Sequence, residues 1–80
     1  MNDKKLAKIR NYLKVALLPY WRSGTERIVG GNVSISDIEL ALKIDTLKGY
    51  KQLVFDLYED ENDDEAETLE RLIAEAEKTK

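Results

Sequence analysis

The chain has 80 residues, 36% of them charged, with a formal net charge of −3 and neither His nor Cys. That length fits a single domain, 1–80, which buries only about 60–65% of its unfolded surface, so self-association would be a natural source of added stability. Without His or Cys there is no disulfide framework, no imidazole or thiolate zinc site, no Ser-His or Cys-His nucleophile and no side chain titrating near neutrality, and the expectation is a non-enzyme with no cofactor.

Charge is unevenly spread: residues 1–27 carry net +5 and residues 28–80 net −8. Such a division marks either a charged partner surface or a basic first helix packed beside an acidic C-terminal region. The longest apolar run near the start, Val15 to Leu18, has four residues. That is too short for a secretory core or a membrane span. Cytoplasmic residence and no membrane association are expected.

From Lys4 to Leu18, Leu6, Ile9, Leu13, Ala16 and Leu17 recur at helical spacing with Tyr12 beside them, and Pro19 is expected to end this helix. Tyr20 to Gly24 read as a turn. The passage 25–35, TERIVGGNVSI, holds β-branched residues on either side of Gly30-Gly31-Asn32, and reads as a short β-hairpin or an irregular connector. Ser36 with Glu39 reads as a capping box, with Ile35 and Leu40 as its hydrophobic staple. The helix it opens runs to about Ile44 and buries Ile38, Ala41 and Leu42, with Asp45 capping the next.

The stretch Thr46 to Asp60 is the one the rest of the chain is arranged around, because of the width of its apolar arc. Leu47, Tyr50, Leu53, Val54, Phe55, Leu57 and Tyr58 sweep roughly 200° of its circumference, against the ~100° or a little more of a surface helix. It is thus the centre of a bundle or a helix with a second, intermolecular contact. The acidic run 59–65 should break the chain near Asn62, because carboxylates oppose the helix before them and favour the one after. A last helix, Asp64 to about Lys78, carries Ala66, Leu69, Leu72, Ile73 and Ala76, with Asp64 and Glu67 as a cap-like pair. The fold class is mostly α: about four helices, with the hairpin or connector between the first and second.

The acidic run fails as a calcium loop. Counted from Asp60, its sixth and twelfth positions are Glu65 and Arg71 instead of Gly and a bidentate Glu, so no metal site is expected. A helix-turn-helix through the third helix lacks Arg or Asn forks for base edges. The cations and aromatics of the N-terminal half, Lys8, Tyr20, Trp21, Arg22 and Arg27, form the alternative: a nucleic-acid-binding module. The leading expectation is a small interaction or regulatory protein of the phage or mobile-element type. It binds a protein partner or a second copy of itself through Tyr50, Phe55 and Tyr58, since aromatics are the usual anchors of such surfaces. The passage DENDDEAETLERLIAEAEK is loosely similar to helical segments of small phage head-to-tail connector proteins, where an acidic cap precedes a Leu/Ile-rich helix. The likeness is one of common helix chemistry, and no residue role follows from it.

Overall fold

A computed structural model describes residues 3–23 and 33–78, and these are almost entirely helical. The elements are α1 (Asp3–Tyr12), a π-helical segment (Leu13–Leu17), α2 (Leu18–Arg22), α3 (Ile35–Ile44), α4 (Leu47–Glu59) and α5 (Asp63–Lys78). The first three run on without interruption, so the described residues form a small four-helix bundle. Residues 25–32 of the expected hairpin, with Gly24 before it, lie outside the described residues. Within them there is no strand: Val33 and Ser34 are irregular and Ile35 already opens α3.

Pro19 does not end the first helix. Ahead of it the Leu18 N–H bonds the Leu13 carbonyl five residues back, and Pro19 falls in the first turn of α2. The widened turn accommodates a pyrrolidine ring that in a regular helix would meet the carbonyl four residues earlier. A π turn also takes up one extra residue, so the buried stripe steps by one. Leu6, Ile9 and Leu13 are followed by Leu17, Leu18 and Trp21. Ala16, expected in the stripe, is exposed.

The caps lie close to the expected places but on different residues. Ser34 opens α3: the Asp37 N–H donates to Ser34 Oγ at 3.2 Å and the Ser34 N–H to Asp37 Oδ2 at 3.0 Å. The capping box is thus Ser34/Asp37 rather than Ser36/Glu39. The staple positions become Val33 and Ile38, both buried, while Leu40 is exposed. Asp45 ends α3 instead of starting α4, in the left-handed region at φ 53°, which Asp tolerates better than most residues. Thr46 caps α4, its Oγ1 accepting from the Gly49 N–H at 3.0 Å. A Cβ on Gly49 would stand 3.2 Å from that oxygen and 3.4 Å from Ile44 Cγ2, so the absent side chain leaves room for both the cap and the tight α3–α4 turn.

The break after α4 is a Schellman turn. The Asn62 N–H donates to Leu57 O at 2.9 Å and the Glu61 N–H to Tyr58 O at 3.0 Å, with Glu61 at φ 63°. This position normally takes Gly, because a Cβ there meets the following carbonyl. Glu61→Gly is expected to raise stability by about 0.5–1 kcal/mol, read as a higher urea midpoint; an unchanged or lower midpoint would contradict it. Asp64 lies inside α5 rather than at its cap, and its carbonyl accepts from Thr68 Oγ1 at 3.0 Å.

One core joins every element. Tyr50, Leu53, Val54 and Leu57 of α4 pack with Ile38 and Ala41 of α3, with Leu6, Ile9 and Leu13, and with Ala66, Leu69, Ile73 and Ala76 of α5. Leu42 and Leu72 pack partly buried against it. Val33 closes one end: its N–H donates to the buried Asp60 at 2.8 Å and its carbonyl accepts from Trp21 Nε1 at 3.1 Å. That bond to Asp60 brings the start of α3 to the end of α4, so the two helices form an antiparallel hairpin closed at its open end.

Candidate protein-interaction surface

The wide apolar arc of α4 divides in two. Tyr50, Leu53, Val54 and Leu57 are buried, an ordinary core stripe, whereas Phe55 is 59% exposed and Tyr58 38%. On α3, Leu40 and Ile44 are 54% and 51% exposed. A shallow cleft between the two helices is lined by Leu40, Ala41, Ile44, Gln52, Leu53 and Asp56. Leu40 and Ile44 of α3 and Phe55 of α4 are thus large hydrophobic side chains left in solvent on the helical hairpin, with Tyr58 turned towards α5. Single exposed apolar residues are common on soluble proteins; several together on adjoining helices are the usual mark of a contact surface.

Tyr50, expected at that surface, is not on it. It is fully buried, and its hydroxyl donates to Asp45 Oδ1 at 2.6 Å while Arg10 Nε donates to the same oxygen at 3.0 Å. A tyrosine on the axis of the core stripe reaches the α3–α4 turn, where the carboxylate waits for its hydroxyl. Burial and then the bond to Asp45 push the Tyr50 pKa well up. The Tyr50 bond, followed by the Arg10 guanidinium, holds the Asp45 carboxyl below its ordinary range. This trio fastens α1 to the turn. Tyr58 is held differently: its hydroxyl donates to Glu70 Oε1 at 2.8 Å, which pushes its pKa up to about 12 and lays the ring against α5.

The residues expected to meet nucleic acid are dispersed. Trp21 is 3% exposed, so it has no free face for a base. Tyr20 is half-buried with its ring edge-on to Trp21, centroids 5.4 Å apart at 71°. Arg22 pairs with Glu39 at 3.1 Å and Lys8 with Glu75 at 3.6 Å. Arg27 lies outside the described residues. Glu39 of α3 and Glu75 of α5 thus each answer one cation of the first helical run.

Leu40 and Ile44 are the surface residues that sequence reasoning missed. Once Ile38, Ala41 and Leu42 define the buried stripe of α3, both fall outside it at 100° per residue; that signal was present, but Leu40 was assigned to a staple shifted by two residues. A second groove, between the first helix and α5, is lined by Ala7, Lys8, Tyr12, Val15, Ala16 and Leu72. Among the described residues no group of His, Cys, Asp or Glu could hold a metal ion, and no helix is long and apolar enough to cross a membrane. Compared with protein-family models, with curated proteins and with solved structures, the chain matches none.

Proposed function

We propose that the protein is a small, non-enzymatic interaction protein that binds another polypeptide through the α3–α4 face formed by Leu40, Ile44 and Phe55, with Tyr58 at its edge. The observation that carries this reading is Phe55: it is 59% exposed on α4, the helix paired with α3, on which Leu40 and Ile44 are exposed too. Withdrawing such a face from water is favourable at roughly 25 cal/mol per Å² of apolar surface, and an aromatic at its centre is the expected anchor.

A photo-reactive phenylalanine analogue placed at position 55, with the same analogue at the exposed Glu67 of α5 as control, tests the reading in cells producing the full chain. Discrete polypeptide adducts from position 55 and none from position 67 are expected. Equal labelling from both, or none from either, would remove the face from consideration.

A further inference from the structure

Resting on that reading, we propose that the occupant of the face is a second copy of the chain, and that the two copies pair through antiparallel α4 helices in one fixed register. The charges of α4 carry the inference. No acidic residue stands in its first turn and no basic residue in its last; Lys48 lies near the start and Glu59 near the end. This is the reverse of what the helix dipole favours. Lys48 and Glu59 are both exposed, and neither enters an ion pair among the described residues.

Within one chain that arrangement is unfavourable. Laid against an antiparallel copy it becomes complementary, because each lysine comes to the acidic end of the opposite helix. The outward positions Lys48, Gln52, Phe55 and Glu59 are all exposed and follow one another at steps of four, three and four, so they share one face. When Lys48 is set opposite the partner's Glu59, the same two-fold axis brings Phe55 level with the partner's Gln52. The two charges nearest the middle of that face then meet their opposites. The two Phe55 rings lie about 4.5 Å apart along the axis, close enough to pack on each other. Lys51 already pairs with Glu77, so Lys48 and Glu59 are the pair that sets the register. A two-fold axis lying in the interface across α4 also stacks α3 on the partner's α3, covering Leu40 and Ile44 in the same contact. Such an isologous contact is self-complementary and closes at two copies.

The test is sedimentation equilibrium of the full chain at about 100 μM, well above a micromolar dissociation constant, with charge-reversal variants. The natural chain is expected to be a dimer. Lys48→Glu and Glu59→Lys should each weaken it at least tenfold, since each replaces two attractive pairs by two repulsive ones. The double variant Lys48→Glu/Glu59→Lys should restore it, and an equimolar mixture of the two single variants should form a heterodimer. Each single change also suits the helix dipole, so the thermal midpoint at low concentration should hold or rise. Loss of the dimer would then not be loss of the fold. A natural chain that is monomeric at this concentration overturns the second copy as occupant, and adducts from position 55 to a different polypeptide would still support the face. A dimer that persists in Phe55→Glu, or single variants that neither weaken nor rescue one another, overturns the pairing.

Discussion

Trp21→Ala is expected to destabilise the folded chain by about 3–5 kcal/mol, the range for removing a buried aromatic ring. Folded proteins hold roughly 0.05–0.15 kcal/mol per residue, so this one substitution removes much of what a chain of 80 residues has. The indole fills the end of the core where α2 meets Val33, and its Nε1 donates to the Val33 carbonyl. Trp21→Phe separates the two contributions: it keeps most of the apolar filling and loses the bond, at about 1 kcal/mol. Urea denaturation of the three proteins measures both steps. A stacking role in nucleic-acid binding would give the opposite result, an alanine variant as stable as the natural protein and defective only in binding.

Asp45→Ala is expected to lower stability by about 2–3 kcal/mol near neutral pH, because it removes two hydrogen bonds to one carboxylate and leaves the Tyr50 hydroxyl without its acceptor in the core. The same trio sets two edges of pH dependence. Asp45 has its folded pKa below the unfolded value of about 3.9. Its contribution is therefore complete above that value and is lost as pH falls through the depressed one. Tyr50 has its folded pKa above the unfolded value of about 10; its contribution is complete below pH ~10 and disappears as pH rises beyond it. Lys14 and Arg10 add to the acid-side effect. In urea titrations at about pH 3, 7 and 11, Asp45→Asn should flatten the acid limb and Tyr50→Phe the alkaline one. Parallel curves for variant and natural chain would mean that ionisation of the trio contributes nothing to the pH dependence of folding. Part of the alkaline limb should remain in Tyr50→Phe, since burial also raises Tyr12 and the Glu70 bond raises Tyr58.

The helices were legible because their periodicity is an averaged signal, carried by four or five apolar residues each. Their ends were less so, because a cap is decided by one or two side chains. Ser34 and Ser36 offer the same hydroxyl, and Asp37 and Glu39 the same carboxylate two residues further on. Only the demand that Val33, and not Ile35, be buried before the cap separates them. The same holds for Asp45 and Thr46 at the α3–α4 turn, where either can cap and only Asp accepts the left-handed backbone readily. Pro19 misled for a different reason. Its rule assumes a regular helix, and the π turn ahead of it is not encoded by any residue type. With the stripe stepped by one, Trp21 turned inward, and the stacking platform assembled from residue types alone dissolved. On the surface side, the exposure of Phe55 and Tyr58 was legible because α4 has more apolar residues than one core face can take. Tyr50 could not be told from them by type; its place on the axis of the buried stripe is what separates it.

The hairpin that carries the proposed face is pinned at both ends, by the Val33–Asp60 bond at its opening and by Arg10 and Tyr50 on Asp45 at its turn. Its two helices therefore present their outer side chains on a frame that is already set before anything arrives. Ordering on association is then confined to the rotamers of a few side chains, Phe55 and Lys48 among them, rather than to backbone. Partners that dock as rigid bodies need little rearrangement after encounter. Affinity at this face should respond mainly through how slowly a formed complex falls apart.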